Sequence, residues 1–124
     1  MKTIKTEKAP AAIGPYSQAI EANGLVFVSG QLPICPETGT FPEGIQAQTR
    51  QSLTNAKAIL EAAGLTMQHV VKTTVLLSDI NDFAAMNEVY AEFFAEPFPA
   101  RSAFAVKAVP KGALVEIECI AARD

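Results

Sequence analysis

The sequence predicts a single α+β domain, residues 1–124, in which two helices cover one face of a mixed sheet. Its 124 residues fit one domain, and two segments carry the apolar periodicity of amphipathic helices. Short segments rich in β-branched residues alternate with those helices, as strands do. Apolar residues make up 49% and charged residues 19% of the chain, a balance that excludes a disordered protein.

A β-hairpin is predicted near the start of the chain. Asn23 and Gly24 tolerate positive φ, and they lie between two strand-like segments, Ser17–Ala22 and Leu25–Ser29. A further short strand is expected at Thr3–Thr6. The two strands of the hairpin should pair antiparallel.

The first helix is predicted over Ile45–Ala63. Apolar or small residues recur there at positions 45, 49, 53, 56, 60 and 63, and Gly64 follows as a C-terminal stop. The next segment, Val70–Leu77, is dense in β-branched residues and too short for a comfortable helix. It is therefore predicted to be a strand covered on at least one face.

The second helix lies between a cap at Asp79 or Asn81 and a terminating Pro97. Its large apolar residues recur at helical spacing: Phe83, Met86, Tyr90, Phe93 and Phe94. We interpret this stripe as part of the core rather than as a cofactor-binding surface.

Two final strands, Ser102–Val106 and Leu114–Ala121, are joined through residues 109–112. Successive side chains of the last strand point to opposite faces of the sheet. The face toward the helices is expected to carry Val115, Ile117, Cys119 and Ala121, and the other face Glu116, Glu118 and Ile120. That second face is either solvated or packed against another subunit, and its apolar content favours assembly.

Composition also limits the partners. The formal net charge is −3 and the ten basic residues are scattered, which argues against nucleic-acid binding. No apolar stretch is as long as a membrane span, and the start lacks a signal peptide's apolar core, so a cytoplasmic protein is expected.

The histidine and cysteine content predicts no metal site and two reduced thiols. The chain has one histidine, His69, and two cysteines that are distant in sequence, Cys35 and Cys119. We expect His69 in a short turn after a Thr66 cap.

Arg101 is the strongest candidate for ligand binding. Two prolines stiffen the chain before it, and a planar guanidinium can donate two parallel hydrogen bonds to a carboxylate. Glu116 could direct a water molecule nearby. From the residues alone two other interpretations stay open: Arg101 could pair with a surface acid, and Glu116 with Glu118 could be the solvated face of an edge strand.

Four segments resemble the hallmark motifs of the reactive intermediate deaminase family, RidA or YjgF, also called L-PSP endoribonuclease-like. They are Ala9–Ala19, Val28–Gln31, Pro99–Ser102 and Val115–Glu118, in family order and spacing. The resemblance implies a chorismate-mutase-like fold of the bacillary type, with a six-stranded sheet and two helices on one face. It also implies a homotrimer with a pocket at each subunit interface.

The resemblance further implies hydrolysis of 2-imino acids, such as 2-iminopropanoate and 2-iminobutanoate, to 2-oxo acids and ammonia without a cofactor. It assigns catalytic roles to Arg101 and Glu116, substrate-binding roles to Tyr16, Ser29, Gly30, Asn87, Arg101 and Ala103, and a wall role to Phe83. Many relatives carry cysteine at position 103, so thiol chemistry at that position does not carry over to this chain. Only the backbone of Ala103 could take part.

We expect Arg101 and Glu116 on adjacent strands, with the arginine reinforcing the ionisation of the carboxylate. The alternative function is a module that binds a 2-oxo acid or another small carboxylate without turnover. A ribonuclease or translation inhibitor is less favoured, because the chain lacks a histidine pair for acid and base chemistry.

Overall fold

Two helices pack on one face of a six-stranded sheet in the computed structural model of the protein, which describes residues 1–124. The strands are β1 Lys2–Ile4, β2 Ala19–Ala22, β3 Leu25–Gln31, β4 Val70–Leu77, β5 Ala100–Ala105 and β6 Val115–Ala122. The helices are α1 Ile45–Ala62 and α2 Phe83–Phe93. The predicted α+β fold and order of elements are confirmed. Neither helix has the length and apolar character that a membrane span requires.

The sheet has the order β1-β2-β3-β6-β4-β5. Its neighbours are antiparallel except β4 and β5, which are parallel. A parallel pair needs a crossover connection, and α2 supplies it. The strand β4 therefore lies between β5 and β6.

The hairpin between β2 and β3 forms as predicted. Asn23 and Gly24 have φ values of 53° and 76°, the positive pair that a type I′ turn requires. The predicted end of α1 is also confirmed. Gly64 has a φ of 78°, and the N–H of Leu65 donates to the carbonyl of Leu60 at 2.9 Å, which closes the helix end.

The core lies between the helices and the sheet. Ile59 and Leu60 of α1 are completely buried. Met86 and Tyr90 of α2 and Phe94 directly after it are buried, and Phe83 and Phe93 are partly buried against the core. The predicted core role of the aromatic stripe is therefore confirmed. Asp79 caps the short 3₁₀ turn Ile80–Asp82 that precedes α2, rather than α2 itself.

The two faces of β6 are assigned correctly by the sequence. Val115, Ile117, Cys119 and Ala121 are at most 4% exposed beneath the helices. No helix covers the opposite face of the sheet. Phe27 of β3 and Phe104 of β5 lie on it and are 42% and 47% exposed, far more than aromatic side chains of a core.

Candidate active site

A cavity of about 850 Å³ opens beside the end of β3 and the start of β6. Four of the predicted site residues line it: Tyr16, Ser29, Gly30 and Glu116. Ile34, Pro36, Lys111 and Glu118 contribute to the same wall. The structure therefore brings the N-terminal motifs together with the carboxylate of the last strand.

Glu116 lies directly across Gly30. A Cβ atom added to Gly30 would lie 2.6 Å from Oε2 of Glu116 and 3.2 Å from its Cγ. Pairing between β3 and β6 is irregular between Val28 and Gln31, which places Gly30 at a bulge. The absence of a side chain at residue 30 thus creates the space that the carboxylate occupies.

The electrostatic surroundings of Glu116 differ from those expected. Its side chain is partly buried, and this burial raises the pKa of the carboxyl group above its usual value. The charge of Glu118 raises the same pKa further. The expectation that an arginine would reinforce ionisation is not met within one chain, because Arg101 lies elsewhere.

A network around Gln18 holds the N-terminal segment against the cavity. The Gln18 amide accepts a hydrogen bond from the N–H of Thr6 at 2.8 Å and donates to the carbonyl of Pro10 at 2.8 Å. The Ser29 hydroxyl donates to the carbonyl of Ser17 at 2.6 Å. Sequence reasoning missed Gln18, because its burial, at 4% exposed, and its hydrogen-bond partners Thr6 and Pro10 become visible only in the folded chain.

Lys111 is a second residue that sequence reasoning missed. It lines the cavity and has a φ of 61°, a left-handed conformation that is uncommon for a residue with a side chain. The Pro-Lys-Gly sequence indicated a turn at 110–112, but not that this turn would border the carboxylates.

Arg101 lies on the other side of the sheet, against α2. Its Nη1 donates to Oδ1 of Asn87 at 2.7 Å, and its Cζ lies 4.8 Å from the ring centroid of Tyr90 and 5.4 Å from that of Phe83. Ala103, two residues further along β5, shares this face and packs against the core. Arg101 makes no ion pair, so the interpretation that it pairs with a surface acid does not describe this structure.

The expectation that Arg101 and Glu116 lie on adjacent strands is wrong. Arg101 is the register partner of Thr73, whereas Glu116 is the partner of Leu76, and β4 separates them. Two strand spacings of about 10 Å and three residues of β4, also about 10 Å, place their Cα atoms about 14 Å apart. Thr73 faces the helices and Leu76 the opposite side, so the two side chains leave the sheet on opposite faces.

Neither cysteine is arranged as a nucleophile. Both are free, and burial raises the pKa of the Cys119 thiol to about 12. The Cys35 thiol donates to Glu37 at 3.0 Å.

His69 accepts a hydrogen bond from the N–H of Thr66 in a capping box, which confirms its predicted place in a short turn. No three His, Cys, Asp or Glu side chains cluster as metal ligands would.

The fold, the cavity at Gly30 and Glu116, and the separate Arg101 site beside α2 together define a class of small α+β proteins. Close relatives of this class are known. The family described as Endoribonuclease L-PSP matches residues 6–123. A RutC family protein of Pyrococcus horikoshii is 56% identical over 99% of this chain and 98% of its own. A 2-iminobutanoate/2-iminopropanoate deaminase of Salmonella typhimurium is 54% identical over 98% of both chains.

Solved structures agree with these relatives. Escherichia coli TdcF, crystallised with bound serine, superposes with a TM-score of 0.96 at 49% identity, and the match covers 100% of both chains. The chain belongs to the RidA/YjgF family of reactive intermediate deaminases. The family predicted from the four motifs is thereby confirmed, and so is the predicted class of enzyme, an imine deaminase.

Proposed function

We propose that the protein hydrolyses 2-imino acids to 2-oxo acids and ammonia, with Arg101 binding the substrate carboxylate and Glu116 directing water. The main support for this proposal is that the Arg101 guanidinium has unused hydrogen-bond donors and no ion-pair partner in the chain. This guanidinium has five N–H groups, of which one is bonded to Asn87, and no carboxylate of the chain neutralises it. A planar cation held in this way suits bidentate binding of a small organic acid.

The site is proposed to form between two protomers of a homotrimer. Arg101 and Glu116 leave one chain on opposite faces of the sheet, so a single protomer does not offer both groups to one small ligand. Assembly would bring the Arg101 side of one protomer to the Glu116 cavity of the next. The exposed Phe27 and Phe104 support burial of the open sheet face against another copy.

The proposed reaction begins with addition of water to the C=N carbon. Glu116 accepts a proton from the attacking water and passes it to the imine nitrogen, which gives a carbinolamine. Transfer of the hydroxyl proton to the amino group, again through Glu116, then breaks the C–N bond, releases ammonia and leaves the 2-oxo acid. Arg101 fixes the substrate carboxylate, so that the imine carbon stays within reach of this water. Tyr16, Ser29 and Gly30 would border the substrate.

The first test uses the purified protein with a dehydratase that releases imines from serine or threonine. Loss of the imine is followed by competition with semicarbazide trapping. We expect Arg101→Ala to abolish most of the acceleration, because it removes the carboxylate anchor. Arg50→Ala is the matched control, since Arg50 pairs with Glu92 on the outer surface of the helices. Full activity in Arg101→Ala would refute the assignment.

Complementation tests the shared site. Arg101→Ala and Glu116→Gln are each expected to be inactive, and co-expression of the two chains should restore activity where an intact Arg101 meets an intact Glu116. Random assembly of equal amounts would recover about one quarter of the wild-type activity. Recovery of nothing from verified mixed oligomers would refute a site formed by two chains.

A second candidate function is binding of a small carboxylate without turnover, and the serine bound to E. coli TdcF favours keeping it. Calorimetry that shows Arg101-dependent binding of 2-oxobutanoate, together with no effect on imine loss, would select it. Ribonuclease activity remains the less favoured alternative. The description of the matching family names it, while the net charge of −3 and the scattered basic residues of this chain oppose it.

A further inference from the structure

The guanidinium of Arg101 rests on one face of α2. Phe83, Asn87 and Tyr90 occupy positions i, i+4 and i+7 of that helix and therefore point the same way. Asn87 accepts one N–H at 2.7 Å, and the Tyr90 ring lies 4.8 Å beneath Cζ, closer than Phe83 at 5.4 Å. Tyr90 is thus the nearer aromatic support of the cation.

Tyr90 is itself held in one orientation. Its hydroxyl oxygen lies 2.7 Å from Oγ1 of Thr73 in a hydrogen bond buried within the protein. Tyr90 is 7% and Thr73 is 1% exposed. The ring also packs on Phe94, with centroids 4.6 Å apart. A buried tyrosine fixed at both its ring and its hydroxyl has little freedom to rotate.

The sheet register links this support to the arginine. Thr73 of β4 is the register partner of Arg101 in the parallel pair with β5. The bond from Thr73 to Tyr90 therefore fixes the ring relative to the same pair of strands that carries Arg101. An exposed arginine otherwise samples many rotamers, and a ligand that grips it must overcome that loss of freedom.

We propose that Tyr90, anchored by Thr73, is a positioning residue that holds the Arg101 guanidinium ready for the substrate carboxylate. This inference rests on the proposed function, in which Arg101 binds that carboxylate. Tyr90 acts through Arg101 and touches no reacting atom. A buried tyrosine hydroxyl needs a hydrogen-bond partner in any case, but a role in the core alone requires no cation above the ring, and the Cζ atom of Arg101 lies 4.8 Å from the Tyr90 centroid.

Three variants separate the contributions. Tyr90→Leu removes the ring, Tyr90→Phe keeps the ring without the hydroxyl, and Thr73→Val removes the anchor while keeping the volume. The Kd for 2-oxobutanoate, the reaction product, is measured by calorimetry. We expect a roughly 3- to 30-fold increase for Tyr90→Leu, about 3-fold for Thr73→Val, and less for Tyr90→Phe.

A control variant separates positioning from loss of stability. Val89→Ala creates a cavity in the same helix at a residue that is 1% exposed and is not one of the three helix residues on the Arg101 guanidinium, which are Phe83, Asn87 and Tyr90. It should lower the unfolding temperature and leave the Kd of the folded protein unchanged. The Nε–H group of the Arg101 guanidinium gives a second readout by NMR, because the ring current of Tyr90, whose centroid lies 4.8 Å from Cζ, shifts its resonance. Tyr90→Phe should retain that shift and Tyr90→Leu should lose it.

A double-mutant cycle with Arg101→Lys gives the decisive comparison. Lysine keeps the charge but lacks the planar group, so the effect of Tyr90→Leu on Kd should shrink to less than half in that background. An unchanged effect, or a wild-type Kd in both Tyr90→Leu and Thr73→Val, would overturn the positioning role. Wild-type activity in Arg101→Ala would instead overturn the proposed function, so the two failures are distinguishable.

Discussion

Replacement of Gly30 by alanine tests how closely the Glu116 carboxylate is fitted to its place. The new Cβ would lie 2.6 Å from Oε2, whereas ordinary contacts begin at 3.4 Å, so the carboxylate must retreat by about 0.8 Å. A misplacement of this size costs on the order of 10- to 100-fold in rate, which corresponds to about 1.4 to 2.7 kcal/mol of activation free energy.

The stability of Gly30→Ala should change much less. The nearest contact of the new methyl group is the end of a flexible side chain, and Gly30 does not have a positive φ. Alanine also restricts the unfolded chain, which stabilises by about 0.4 to 1 kcal/mol and offsets part of any strain. We therefore expect the free energy of unfolding to stay within about 1 kcal/mol of wild type.

The assay is the dehydratase-coupled loss of imine, combined with urea denaturation of the same samples. The Gly30→Ala change should have little further effect when Glu116 is already glutamine, because both changes disable the same group. Wild-type turnover by Gly30→Ala would refute the reasoning. So would a loss of activity that follows a loss of folded protein.

Three further predictions follow from burial and charge. Glu116 must be ionised to accept a proton from water, so its raised pKa moves the acid limb of the pH–activity profile to higher pH. Glu118→Gln removes one of the two causes of the raised pKa and should move that limb to lower pH. A shift of the limb to higher pH in this variant would contradict the prediction. Ile59→Ala should lower the free energy of unfolding in urea by roughly 2 to 5 kcal/mol, because the side chain is fully buried, and a loss below about 1 kcal/mol would be inconsistent with that burial. Cys119 should resist thiol reagents near neutral pH while Cys35 reacts, and mass spectrometry showing the opposite order would contradict the pKa of about 12.

Local patterns predicted most of the fold because they depend on neighbouring residues. The Asn23-Gly24 turn, the Gly64 stop of α1 and the two faces of β6 each follow from backbone preference or alternation. The strand order does not follow in this way. That β4 separates β5 from β6 depends on long-range pairing, and the expectation that Arg101 and Glu116 lie on adjacent strands failed for that reason.

The sequence predicted which residues belong to the site but not how they are arranged in space. The motifs contained Tyr16, Gly30, Arg101 and Glu116, but spacing could not show that one chain separates them into two groups. The double role of Tyr90, in the core and beneath a cation, was hidden because its helical spacing is the same in either role. Buried polar atoms such as those of Gln18 depend on partners distant in sequence, which only the folded chain reveals.

The crossover formed by β4, α2 and β5 has a consequence for the order in which the site is built and lost. The hydrogen bond and both cation–π contacts of the Arg101 guanidinium come from residues 83–90, so this part closes a short loop and should form early in folding. The Glu116 cavity joins residues 16, 30 and 116, whose meeting requires nearly the whole chain. Under mild denaturant, amide exchange should therefore expose the N-terminal segment first, and a partly opened protomer would keep the proposed carboxylate site at Arg101 after it has lost the Glu116 cavity.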